Sequence, residues 1–457
     1  MKHGSFGLAA TLLLGAPAQA QTVEELQRQI DELKAMVAEL KAAQSQVGQS
    51  QAAQSPQVAS AQSPQVASAP APRPVSRAWY ERITLRGYTQ VRLNEIISGD
   101  ATAPAGQSRL RSIGDGAITD RNNFSLRRVR LIFQGDLNDY ASIYIQPDFA
   151  TGVVNQAAGE RRENFGQLRD AYVDIFPTGD KSLRLRVGQS KVPFGWENLQ
   201  SSSNRLALDR TDGINSAVPT ERDLGVNIYY TPPSVQRIWD RLAADGQKLF
   251  GNYGAFGLAL YNGQGTNRVE ANNGLMAVAM ATWPFELDSL GLSGQVLELG
   301  AVGYRNRVRP ELRSGGTSAI DYADERVGIH AILYPQPFGL QAEWNWGRGP
   351  EWDSATQSIQ EKPLQGGYIQ AMYRVHQSPL GPFMPFARWQ HYRGGFKAGL
   401  NAPRLETDEL ELGIEFQPTP PVEFTLSYGH AKRREPDERR QGRAEGDLLR
   451  AQIQFNY

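Results

Sequence analysis

Ile83-Thr84-Leu85-Arg86-Gly87-Tyr88-Thr89-Gln90-Val91-Arg92-Leu93-Asn94 changes character at every residue. Its odd positions are Ile83, Leu85, Gly87, Thr89, Val91 and Leu93, and its even ones are Thr84, Arg86, Tyr88, Gln90, Arg92 and Asn94. Successive side chains of a strand point to opposite faces, so one face of this segment suits lipid and the other suits water. The same period of two returns in 141–149, 224–230, 338–346, 409–416, 422–428 and 449–457. Counting every such run gives roughly sixteen strands, an even number as bacterial single-chain barrels have. The expected fold is all-β, a transmembrane antiparallel β-barrel over residues 79–457.

A soluble sandwich also alternates, so the connections have to discriminate. Those after the second, fourth, tenth and fourteenth strands are tight: Asn138-Asp139, then 177–180, 335–337 and 418–421. Those after the first, third, fifth, ninth, eleventh, thirteenth and fifteenth read as long and polar, among them 95–122, 189–221 and 432–447. Short turns at one rim and long loops at the other are expected of an outer-membrane barrel, with the short rim and the N-terminus in the periplasm. The segment 231–252 departs from the rule, falling where a short turn should be. In the last strand Leu449, Ala451, Ile453, Phe455 and Tyr457 share a face, and Trp239, Trp283, Trp344, Trp346 and Trp389 are candidates for an interfacial aromatic girdle.

The N-terminal part has a different character. Residues 1–20 carry Lys2, an apolar stretch from Phe6 to Leu14 and the small-residue site Ala18-Gln19-Ala20, the pattern of a secretory signal. After it no run of about 18 apolar residues occurs, which argues against a helical span. In 21–47 the apolar residues Val23, Leu26, Ile30, Leu33, Val37 and Leu40 step by three and four, the seam of a short coiled coil. Residues 48–78 hold the octapeptide Ala53–Ser60, repeated unchanged as Ala61–Ser68, and then Pro70, Pro72 and Pro74. That composition cannot bury enough surface to fold and reads as a disordered linker.

With 48 basic and 48 acidic side chains the chain has no net charge, so nucleic acid is not an expected partner. It contains no cysteine. His330, His376, His391 and His430 lack the spacing of a metal site, and neither a Gly-x-Ser-x-Gly elbow nor a P-loop is present. No catalytic residue, metal or cofactor is expected.

Several blocks in order resemble one family, the phosphate-selective porins O and P: 125–131 leading to Gly135, 168–173, 187–195, 222–226, 260–265 and 387–390. The resemblance covers most of 79–457. It implies a homotrimeric outer-membrane channel of sixteen strands, with inward-folded loops and a run of lumenal arginines that draws anions through. A trimer would favour a three-stranded coil at 21–47, although Val and Ile at a positions with Leu at d prefer two strands in isolation; such a stalk is placed to touch peptidoglycan.

Selectivity in such a channel is written on inward faces and on the loop that narrows the pore. The candidate pore-lining, anion-binding residues are Arg86 and Arg92 on the first strand, Arg128 and Arg130 on the second, Arg184 and Arg186 on the fifth, and Arg450 on the last, with Lys191, Arg205 and Arg210 on the connection 189–221. Guanidinium groups stay charged and offer planar forks to oxyanions. Acids also fall on water faces, namely Asp148, Asp170, Asp174, Glu343, Glu409, Glu411 and Glu415. Three readings follow: an anion-preferring channel for small hydrophilic solutes, a general channel without that preference, or a structural barrel in outer-membrane lipid tethered by its coil.

Overall fold

The computed structural model describes residues 79–457, apart from 100, 120, 121, 154–161 and 380. The signal, coiled coil and linker expected over 1–78 lie outside the described residues. The first eight strands are β1 (Ile83–Gly99), β2 (Asn123–Asn138), β3 (Ala141–Val153), β4 (Arg162–Ile175), β5 (Leu183–Lys191), β6 (Arg222–Tyr230), β7 (Phe256–Tyr261) and β8 (Met276–Glu286). The second eight are β9 (Val296–Val308), β10 (Tyr322–Leu333), β11 (Phe338–Asp353), β12 (Ser358–Tyr373), β13 (Phe383–Gly395), β14 (Arg404–Thr419), β15 (Val422–Arg434) and β16 (Ala444–Asn456).

Each strand pairs antiparallel with its sequence neighbour and β1 closes on β16, so the sixteen form one closed barrel. Closure leaves no edge, which is what allows strands to cross a medium without water. The seam runs from Tyr88↔Asn456 to Gly99↔Gly446, and Gly87 and Tyr457 exchange backbone bonds of 2.6 and 3.0 Å at its end. The burial is inside out: Leu85, Leu224, Leu258 and Val327 are exposed on the outer face, whereas Gln90, Arg92, Asn227 and Glu298 are buried at 0% exposure.

Tight connections follow β2, β4, β10 and β14 as expected. The connection after β11 corrects the reading of a long loop. It is the four-residue turn 354–357, because β11 and β12 each run for 16 residues and the polar stretch past Trp346 continues as strand.

The departure at 231–252 is a helix. Here α3 (Pro233–Ala244, named with two shorter helices α1 and α2 below) starts on Pro233, whose fixed φ suits the first helical position. Its Val235, Trp239 and Leu242 form one buried stripe at helical spacing. They pack with Leu249, Phe250, Val296, Ile332 and Tyr334, and with Trp196 and Leu199 from the connection between β5 and β6. Trp239 is therefore no girdle residue: it is 3% exposed and its Nε1 donates to Glu298 Oε2 at 3.0 Å inside the barrel.

That connection, 192–221, turns inward and carries α1 (Trp196–Leu199) and α2 (Asp212–Ala217), both wholly buried. It reaches the far wall. A Cβ on Gly213 would sit 2.8 Å from the carbonyl carbon of Gly366 in β12, so only glycine allows this approach.

Candidate functional site

The interior is built from the inward parity of the strands plus the loop 192–221. On one wall, β1, β2 and β16 stack their inward residues in register: Tyr88 lies opposite Arg130, Gln90 opposite Arg128, and Asn94 opposite Arg450. With Arg86 one step below Tyr88 and Arg92 one step above Gln90, the arginines form a track along the wall. At about 3.4 Å per residue, Arg86 to Asn94 covers roughly 27 Å along the strand.

A β-bulge lies between Gln90 and Val91 in the register with β2. It adds Arg127 to this face, because a bulge puts two residues of one strand against one of the other. Arg127 Nη2 donates to Asp209 Oδ1 at 2.9 Å. Strict alternation assigns Arg127 to the lipid side with Val129, which is why sequence reasoning missed it.

Asp209 of the inward loop is the hub of the wall. It receives Arg92 at 2.8 Å and Arg127 at 2.9 Å, is also bonded by Arg450, and lies 4.0 Å from Arg128 Nη2. Asp115, from the loop between β1 and β2, accepts from Arg92 at 2.7 Å, Asn94 at 3.1 Å and Arg450 at 3.1 Å. Two carboxylates thus tie two loops to the arginine track. Lower down, Arg130 Nε donates to Asp148 at 2.7 Å, and its Nη1 to Tyr88 at 2.9 Å and Ser202 at 3.1 Å. Arg128 Nη1 has the neutral Gln90 at 2.7 Å, and the exposed Arg86 has the neutral Gln134 at 3.0 Å.

The remaining candidates hold the scaffold. Arg186 forks onto Asp174 at 2.7 and 2.8 Å, and Arg184 donates to the Asn252 carbonyl at 2.6 Å. Lys191 Nζ reaches three carbonyls at the end of α1, those of Asn198, Leu199 and Gln200, at 2.8, 3.3 and 2.7 Å. Arg205 and Arg210 stand 3.7 and 3.4 Å from Glu221, which also pairs with Arg222.

Further inward arginines anchor the same loop from other walls. Arg388 donates to Glu197 at 2.6 Å, Arg433 to Asp212 at 2.6 Å, and Arg326 to Ser216 Oγ at 2.8 Å. On β11, Glu343 accepts the backbone N–H groups of Trp196 and Glu197, each at 3.0 Å. These three arginines have inward parity and were readable in the sequence. Arg222 was not: it shares parity with the exposed Leu224 and Val226, yet it is buried on Asp170 at 2.8 Å. Arg222 is the first residue of β6, paired with the buried Lys191 where the loop 192–221 rejoins the wall.

Between this wall and the inward loop lies a crevice of about 250 Å3. Arg86, Arg130, Lys191 and Arg222 line it against a single acid, Asp170. Tyr144, Tyr172 and Tyr253 from the wall and the segment after α3, and Ser201, Ser202 and Ser203 from the loop, also line it. Asp148 and Glu221 pair with Arg130 and Arg222 from outside this lining, which leaves Arg86 as its exposed cation with a neutral partner.

Comparisons with known proteins agree with this architecture. A family model described as phosphate-selective porin O and P matches residues 107–457. Among solved structures, OmpF of Salmonella typhi in complex with daunomycin is 13% identical, with 82% of this chain and 97% of that one covered and a TM-score of 0.50. The outer membrane channel DcaP of Acinetobacter baumannii is 14% identical, with 82% and 97% covered and a TM-score of 0.48. The anion-selective porin from Comamonas acidovorans is 11% identical, with 82% and 99% covered and a TM-score of 0.47. At 13% identity the likeness to OmpF concerns the fold alone. No curated protein matches the chain.

Proposed function

The chain belongs to the phosphate-selective porin O and P family, and from that premise we propose that it is a passive diffusion channel whose arginine track favours small anions. It is a porin of the bacterial outer membrane. The observation that carries the anion preference is the crevice lined by Arg86, Arg130, Lys191, Arg222 and Asp170, in which Arg86 is exposed and bonded to the neutral Gln134. An anion entering it meets guanidinium forks that need no proton to stay charged.

Arg86 is the residue that would touch the passing ion, since it is exposed and its hydrogen-bond partner is the neutral Gln134, whereas Arg128, bonded to Gln90 but buried, would act through its field. Arg92, Arg130 and Arg450 would set the field while fastened to acids. Arg184, Arg186, Lys191, Arg205 and Arg210 would shape the passage by holding its walls and loop. Phosphate or polyphosphate would be a suitable cargo.

A second reading has support in Asp115 and Asp209, which face the same arginines. Opposed rows of charge set up a transverse field that orients polar solutes without choosing a sign, as in a general solute channel. Reversal potentials in a potassium chloride gradient separate the two. A potential of the sign set by chloride is expected; one near zero favours the general channel, and one set by potassium overturns the anion reading.

Family membership supports a homotrimer with short turns and N-terminus in the periplasm, and with the coil at 21–47 tying three chains together through the linker 48–78. Contact of that stalk with peptidoglycan is part of the same proposal. Sedimentation of a peptide spanning 21–47 should give a trimer, and a stable dimer would count against it.

A further inference from the structure

The crevice beside Arg86 is larger than a bare oxyanion requires. A water occupies about 30 Å3 of liquid, so a space of about 250 Å3 is about twice what one four-oxygen ion fills. Its wall is aromatic. Tyr144 stacks on Tyr172 with ring centroids 5.1 Å apart and planes at 6°. The Arg186 guanidinium lies 3.8 Å from the Tyr172 centroid, so Tyr172 is held between a cation and a second ring. Tyr144 is the outer layer of that stack. It is half-buried, and its hydroxyl is turned aside to Gln146 Oε1 at 2.7 Å.

Positioning Arg186 accounts for Tyr172, and for Tyr253 at 5.2 Å from that guanidinium. It does not account for Tyr144. Arg86 and Arg130 line the same crevice as this ring, and Ser201, Ser202 and Ser203 stand on its loop side. Rings stack on rings and guanidinium groups bind oxyanions, so the two chemistries lie side by side.

Resting on the anion-channel reading, we propose that this crevice binds an organic anion with a planar ring next to its oxyanion, of the class of aromatic carboxylates and sulfonates. Its charge sits between Arg86 and Arg130 while its ring lies on Tyr144. The serines supply hydroxyls at the anion's edge.

The test uses the full-length protein in planar bilayers, with chloride current measured as benzenesulfonate, methanesulfonate or inorganic phosphate is added. Benzenesulfonate should halve the current at a concentration about 5-fold lower than methanesulfonate does, the size expected of one aromatic contact. That ratio should fall towards one in Tyr144→Ser and persist in Tyr144→Phe. Equal inhibition by the two sulfonates, equal inhibition by inorganic phosphate, or a ratio unmoved by Tyr144→Ser overturns the ring site. Reversal potentials in the same bilayers report the anion reading separately: a chloride-selective channel without the benzenesulfonate preference loses only the ring site, and a potassium-selective one loses both.

Discussion

Asp209 shows how much of the interior depends on one carboxylate. It lies on a loop, not on the wall, yet Arg92, Arg127 and Arg450 all bond to it. Those guanidiniums would otherwise repel one another in a site where water screens poorly, leaving Asp115 as the one acid bonded there to Arg92 and Arg450. Breaking a buried pair from one side leaves an uncompensated charge and costs about 3–5 kcal/mol. Asp209→Asn is therefore expected to lower the urea midpoint of the refolded barrel by that equivalent while raising its anion-to-cation permeability ratio. A midpoint within error of wild type would mean the loop is not fastened there. The same site marks where period-two reading stops working. Arg86, Arg92, Arg128, Arg130 and Arg450 were legible because parity alone puts them inside. Arg127 was not, since a bulge is a backbone event that its own side chain does not announce, and Arg222 was hidden because it stands at the strand end where the inward loop rejoins the wall.

Among the elements, α3 is the one that alternation could not assign. Its stripe of Val235, Trp239 and Leu242 has helical spacing, so the signal was in the sequence, but a turn position in a barrel gives no reason to look for it. Folded inward, the helix meets the loop 192–221 in a dry cluster where Trp239 lies 5.1 Å from Phe250 at 84° and Trp196 lies 6.0 Å from the same ring. Trp239→Ala should cost about 3–5 kcal/mol, as large aromatic truncations in cores do. Urea unfolding would read that loss, and noisier open-channel current is expected with it, because the cluster braces the loop that narrows the passage. Unchanged stability would place Trp239 outside the packed core. At the opposite rim, the loops 309–321 and 435–443 are joined by Arg313 on Asp437 at 3.4 Å and on Glu438. The hydrogen bond from the Arg439 side chain holds the Asp437 carboxyl down to about 2 from its ordinary 3.8. A depressed carboxylate stabilises above its unfolded value and loses that contribution as pH falls through the folded one. Amide exchange in 435–443, corrected for its intrinsic pH dependence, should stay slow at pH 5 and quicken between about pH 4 and 2. Asp437→Asn should abolish that step; a step that survives the substitution would assign it to another group.

For the whole molecule, the closed barrel followed from alternation and connection lengths because both are consequences of crossing lipid, which acts on every strand alike. Selectivity is a difference between charges, and pairing decides it; pairing was not legible because partners such as Arg388 and Glu197 lie 191 positions apart. Along the wall Arg86, Arg92, Arg127, Arg128, Arg130 and Arg450 meet Asp115, Asp148 and Asp209, so the track keeps positive charge in a chain that is neutral overall. Which arginine to reverse then matters. Arg186→Glu would place a second acid against Asp174 and disturb folding as well as the field. Arg86→Glu changes the field more cleanly, because Arg86 is exposed to the crevice and its hydrogen-bond partner is neutral Gln134. The substitution should lower the anion-to-cation ratio, and by more in 0.01 M than in 1 M salt, since the screening length shortens from about 30 Å to about 3 Å. With the urea midpoint preserved, a ratio that does not move in dilute salt would put Arg86 outside the permeation path and leave the preference to Arg128, whose nearest carboxylate, Asp209, is 4.0 Å away.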